Sequence, residues 1–175
     1  MSKAVVEALI ERYNLKPLAF EGGLFVQTYR SEGTYAGDQL PARYAGLEHA
    51  FGSAILMLFT DDPDSFSALH RLKTDEIYHF YLGDPIELTL LHPDGSFQTV
   101  TLGQNVFAGE QVQFVIPAGV WQGSRLMAGG RYALFGTTMA PAFQIEDFAA
   151  ADRESLSAAY PGARERIAAL TRSNP

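Results

Sequence analysis

Between Ala50 and Ala140 the chain is cut into short apolar runs, with a turn signal every 8 to 12 residues. This feature constrains the fold more than any other. The runs are 52–59, 66–72, 76–82, 86–92, 97–102, 111–116, 121–126 and 131–138. Asp61-Asp62-Pro63, Gly83-Asp84-Pro85, Pro93-Asp94-Gly95, Gly109, Pro117-Ala118-Gly119 and Gly129-Gly130 separate them. Segments this short and this evenly spaced predict strands of an antiparallel sandwich or small barrel. Asp94-Gly95 between two runs predicts a hairpin. Helical periodicity is confined to the flanks. Val5, Val6, Leu9, Ile10 and Tyr13 predict a helix over 2–13, with Ser2 as its N-cap and Pro17 stopping any extension. Leu24 to Arg30, after Gly22-Gly23, predicts a strand, and 31–48 a loop. Leu156, Ala159, Tyr160, Ile167 and Leu170 predict two helical pieces broken at Pro161-Gly162.

With 175 residues the chain is sized for one domain over 1–175, its barrel core at about 24–140 and a C-terminal helical segment at about 143–172. Hydrophobic residues at 47 % and charged residues at 19 % suit an ordered core. A net charge of −7 argues against non-specific nucleic-acid binding, which needs a basic surface. The absence of cysteine removes disulfides, thiolate metal sites and cysteine nucleophiles. Neither a leader-like apolar stretch nor a membrane-spanning one is seen, so a soluble cytoplasmic protein with no membrane partner is expected.

Two strings inside the strand region carry a resemblance. His70-Arg71-Leu72-Lys73-Thr74-Asp75-Glu76, with Gly83 following, resembles the first cupin motif. Gly109 with Pro117-Ala118-Gly119-Val120-Trp121-Gln122 resembles the second. Glu21 to Phe25, Thr28 to Ser31, Ser124-Arg125 and Phe143 to Phe148 extend the likeness to a small cupin branch of unassigned function. The resemblance implies a mainly β fold, a cupin-type double-stranded β-helix (jelly-roll barrel) with short N- and C-terminal helices, commonly a homodimer. Cupins include metal dioxygenases, isomerases, sugar-nucleotide epimerases and non-catalytic binders, so the likeness speaks to fold more than to function. Leu72 stands where the pattern has its second histidine, and Gln122 where it has its last.

Strand alternation puts His70 and Leu72 on one face, and Glu76, Tyr78 and Phe80 on one face. His70, Glu76 and Gln122 are then expected to converge inside the barrel, either as a site or as a satisfied core network. Three chemistries are open. A divalent metal would use His70, Glu76 and Gln122, with His79 as a weaker candidate pointing outward by alternation. Metal-free acid–base work of isomerase or epimerase type would use His70 as base, Glu76 as orienter or acid, and Tyr78 or Tyr132 as acid. Ligand binding would draw on Arg30, Ser31, Arg71, Lys73 and Arg125 for a nucleotide-like anion, with Trp121 stacking on a ring. Phe143 to Phe148 is expected to dock the C-terminal helices.

Overall fold

The computed structural model describes residues 2–172. The first helix, α1, spans Ser2–Tyr13, and the side chain of Ser2 lies outside what is described. It ends before Pro17. Asn14 takes φ 51°, and the Leu15 amide donates to Ile10 O at 3.1 Å. This is a left-handed cap of the kind asparagine tolerates.

The strands follow as β1 Lys16–Pro17, β2 Leu24–Arg30, β3 Thr34–Tyr35, β4 His49–Ala50, β5 Ser53–Thr60, β6 Phe66–Leu72, β7 Glu76–Gly83, β8 Ile86–Leu91, β9 Phe97–Leu102, β10 Gln113–Ile116, β11 Trp121–Leu126, β12 Tyr132–Met139 and β13 Phe148–Ala150. The pieces α2 (Arg153–Ala159) and α3 (Arg164–Ala169) come last, separated by a 3₁₀ turn at Pro161–Ala163. Asp152 caps α2 by accepting from the Ser155 amide at 2.8 Å.

Two antiparallel sheets form a jelly roll, in the orders β1-β2-β5-β12-β7-β10 and β13-β6-β11-β8-β9. β3, inside the stretch read as loop, forms a separate pair with β4 just beyond it. The Asp94-Gly95 hairpin joins β8 to β9, with Gly95 at φ 87° and its amide donating to His92 O at 3.0 Å. Gly83, the glycine of the first motif, closes β7 at φ 104°. A Cβ there would lie 2.4 Å from Tyr132 O, so no side chain fits.

Alternation sorts the apolar residues into three layers. Met57, Phe59, Tyr78, Phe80, Leu88, Leu90 and Phe135 fill the space between the sheets. Leu69 and Leu91, on the back of the second sheet, pack under Leu156, Ile167 and Leu170 of the C-terminal helices. Leu58 and Leu134, on the back of the first sheet, pack under Val6, Leu9 and Ile10 of α1. Each fully buried Leu, Ile or Phe contributes about 1.5–3 kcal/mol.

Candidate functional site

His70 on β6 and Gln122 on β11 are register partners within the second sheet, while Glu76 opens β7 in the first. All three are buried, at 1 %, 1 % and 6 % exposure. Gln122 Nε2 donates to Glu76 Oε2 at 2.8 Å, linking one sheet to the other. His70 Nδ1–H donates to Ala68 O at 2.8 Å, since a carbonyl can only accept. In the neutral ring Nε2 therefore carries the lone pair. The imidazole stacks on Phe148, with ring centroids 5.2 Å apart and planes 19° apart.

A second carboxylate joins them. Glu21 precedes the Gly22-Gly23 turn, and its Oε1 accepts from Ser67 Oγ at 2.6 Å. Gly22 makes that turn at φ 117°, where a Cβ would come within 2.2 Å of Phe66 O. Burial pushes the Glu76 carboxyl above its ordinary range, and repulsion from Glu21 pushes it further. His70 and hydrogen bonds from Thr137 and Gln122 offset part of this. Tyr78 stacks on Phe135 at 5.7 Å within the core. Burial, then the charges of Glu76 and Glu21, push its hydroxyl well above the usual tyrosine value, so it holds its proton.

Glu76 and Glu21 face a cavity of about 80 Å³ at the barrel mouth. Its apolar wall includes Leu18, Phe25, Ile55 and Met139, and Gln27, Ser53 and Thr137 add polar atoms. Phe20 and Phe143, stacked at 6.3 Å, form the rim. The segment 142–148 holds that rim. Arg30 Nη1 donates to Phe143 O at 2.8 Å, the Phe143 amide donates to Ser53 Oγ at 3.1 Å, and Gln144 donates to Glu48 O. His49 Nε2 meets Asp147 Oδ2 at 2.7 Å with both side chains fully buried, and Lys73 Nζ lies 3.4 Å from Asp147 Oδ1. Phe148 packs edge-on to Phe20 at 5.2 Å. This segment thus closes the barrel rather than docking the C-terminal helices. Its aromatics fit both uses, and only the contacts decide.

Several expected site residues lie elsewhere. Tyr132 faces outward and packs in the layer under α1, because Ala133, its neighbour on β12, takes the inner face. Arg71 and Trp121 share the outer face of the second sheet, where the guanidinium sits 4.7 Å over the indole. Arg71 lines an external depression of about 420 Å³ with Arg43 and Lys73. Arg125 is exposed beside Asp61 and Gly129, away from the mouth residues. Arg30 is near the mouth but is spent on Phe143, and Ser31 Oγ bonds Gly33 O at 3.0 Å. His79 points outward to Thr138 Oγ1 at 2.9 Å and to Gln113. Glu21, Ser67 and Thr137 were not singled out from the sequence. Glu21 opens one of the strings that carry the family likeness, and that string with its turn glycines is the signal that could have placed it in the site.

The donor set does not fit a metal ion. Among the described residues no three His, Asp or Glu side chains gather in a metal-holding arrangement. Leu72 offers no donor atom, and the Gln122 amide turns its N–H, not its oxygen, toward Glu76.

Comparisons with known proteins agree with this architecture. Protein SO0799 from Shewanella oneidensis superposes with a TM-score of 0.82 at 29 % identity, over 96 % of this chain and 98 % of that one. A hypothetical protein from Leishmania major superposes with a TM-score of 0.83 at 26 % identity, over 95 % and 98 %. Oxalate decarboxylase of Bacillus subtilis shares the fold alone, with a TM-score of 0.51 at 15 % identity, over 92 % of this chain and 38 % of that one. The uncharacterized protein YML079W of Saccharomyces cerevisiae is 26 % identical over 132 residues. These are 73 % of this chain and 66 % of that protein's length, so the chain spans slightly less than two thirds of the curated relative it matches. A family model described as Cupin superfamily (DUF985) matches residues 7–151, and with the jelly roll and its motif residues in place the chain belongs to that family.

Proposed function

We propose that the barrel binds a compact polar small molecule and exchanges a proton with it, in acid–base chemistry of isomerase type. The observation that carries this reading is Glu76: a buried carboxyl with raised proton affinity on the wall of a cavity, next to an imidazole. Perturbed titratable groups beside a concave pocket are the usual mark of acid–base function. His70 and Gln122 lie outside the cavity lining, so in this reading Glu76 on the wall exchanges the proton with the ligand, His70 Nε2 accepts one behind it, and the Gln122 amide orients the carboxylate. Tyr78 keeps its proton as part of the barrel floor. The test is a metabolite panel scored by thermal shift, followed by NMR detection of solvent deuterium entering the ligand that responds. Exchange should disappear in His70→Ala and Glu76→Gln. Exchange unchanged in both variants would place the chemistry elsewhere.

A second reading, an anionic ligand, is favoured by the external depression and not by the barrel. Arg43, Arg71 and Lys73 line it beside Glu146 and Asp147, with Lys73 paired to Asp147 and Arg43 and Arg71 carrying the net positive charge, whereas no Arg or Lys lines the cavity. Thermal shift with AMP and pyrophosphate, lost in the Arg71→Ala/Lys73→Ala double variant, would support it. Homodimerisation belongs to the same proposal. β10 is an edge strand that exposes Val115, with Val112 exposed just before it, and light scattering reports the mass in solution.

A further inference from the structure

The charged groups that line the cavity are one-sided: two carboxyls and no cation. Glu21 and Glu76 are acceptors when ionised. Their partners so far are Ser67 for one and Gln122 with Thr137 for the other. Outside the cavity lining, Gln122 has committed its N–H to Glu76, and its Oε1 is buried with no partner among the described residues. The His70 N–H is committed to Ala68 O, and this ring too stands outside the lining. The neutral hydroxyl and amide groups at the mouth, on Ser53, Thr137 and Gln27, can donate as well as accept, and Ser53 Oγ accepts from the Phe143 amide while keeping its O–H free. No lysine or arginine lines the cavity. A buried carboxylate short of donors is costly, so a cavity walled by Glu21 and Glu76 is complementary to a ligand rich in donors.

Charge selects further. An anion would meet two carboxyl groups and no cation. A neutral hydroxyl brings one donor. An ammonium brings three, and its charge lets two neighbouring carboxylates stay ionised together. The apolar wall of Leu18, Phe25, Ile55 and Met139 suits an alkyl chain, and the aromatic faces at the rim tolerate a passing cation. We infer that the cavity selects a protonated primary amine on a short apolar body, seated with its ammonium against Glu21 and Glu76. This rests on the reading of the barrel cavity as the ligand site and names the chemical class it takes.

Four probes of similar size test it on the full chain near pH 7.5 at constant ionic strength: n-butylammonium chloride, 1-butanol, sodium butyrate and tetramethylammonium chloride. With so few heavy atoms, affinities of roughly millimolar order are expected. Butylammonium should bind at least about tenfold more tightly than butanol or tetramethylammonium, and butyrate should not bind. Glu21→Gln and Glu76→Gln should each weaken butylammonium by about tenfold or more and leave butanol unchanged. Equal binding of butylammonium and butanol, binding of butyrate, or indifference to both substitutions would overturn amine selection while leaving the cavity as a ligand site. Tetramethylammonium equal to butylammonium would overturn the role of N–H donors. Silence from all four would overturn the inference, and the metabolite panel would then judge the cavity by itself.

Discussion

Removing the Asp147 carboxylate should loosen the whole closing segment. Leu47 O can only accept, so His49 Nδ1, 2.9 Å away, carries a proton. The 2.7 Å contact from Nε2 to Asp147 then shares a second one, and the pair is held together in a space closed to water. Asp147→Ala leaves a buried imidazole nitrogen without a partner and frees Lys73 at the surface. Breaking one side of a buried pair costs about 3 kcal/mol or more, and the half-exposed Lys73 contact adds little. At about 2–4 °C per kcal/mol for a chain of this size, Tm should fall by about 6–12 °C. Differential scanning calorimetry at neutral pH reads this directly. The double variant His49→Leu/Asp147→Leu should recover part of the loss, because it leaves no orphaned partner. Phe148 follows Asp147 and stacks on His70, so the His70 ring resonances should also move in Asp147→Ala. A fall in Tm below about 2 °C would refute the claim that this pair anchors the segment.

Other outcomes follow from the same contacts. Because Glu76 binds its proton more tightly folded than unfolded, its contribution to stability is complete below the ordinary glutamate range and is lost as pH rises toward the folded value. Glu76→Gln should therefore be more stable than the parent near pH 8 and level with it near pH 4, as thermal melts across pH would show. Gln122→Leu strips the amide donor from a buried carboxylate and should cost about 1–3 kcal/mol at neutral pH, measured by urea unfolding. Tyr132→Phe should change stability by less than about 0.5 kcal/mol and leave every ligand-induced shift intact, since the hydroxyl lies outside the barrel. Exhaustive dialysis against EDTA should leave Tm within about 1 °C, because among the described residues no three His, Asp or Glu side chains gather as metal ligands.

The strand runs were legible because a two-residue period and turn residues are local properties. β6, β9 and β11 begin and end where the pattern places them. The inner positions of His70, Glu76 and Gln122 follow from the same period. So does the outward course of Arg71, which sits between His70 and Leu72, and of Tyr132, which sits beside Ala133. Adjacency to a motif suggested ligand contact for these two, whereas alternation already turns them away. What stayed hidden depends on long-range closure. Glu21 reaches the site from a turn before β2, through a hydrogen bond to Ser67 46 residues later. His49 and Asp147 are 98 residues apart, and no local pattern announces that they meet. The stop of α1 at Asn14 was local but subtle, since Pro17 is the louder signal and acts too late.

The barrel wall is greasy on both sides. Leu58 and Leu134 lean on α1, while Leu69 and Leu91 lean on the C-terminal helices. A shortened version cut to residues 24–140 would bare both surfaces to solvent at once and invite precipitation. Anyone minimising this scaffold for screening or redesign must keep its helical ends or repaint those leucines with polar side chains.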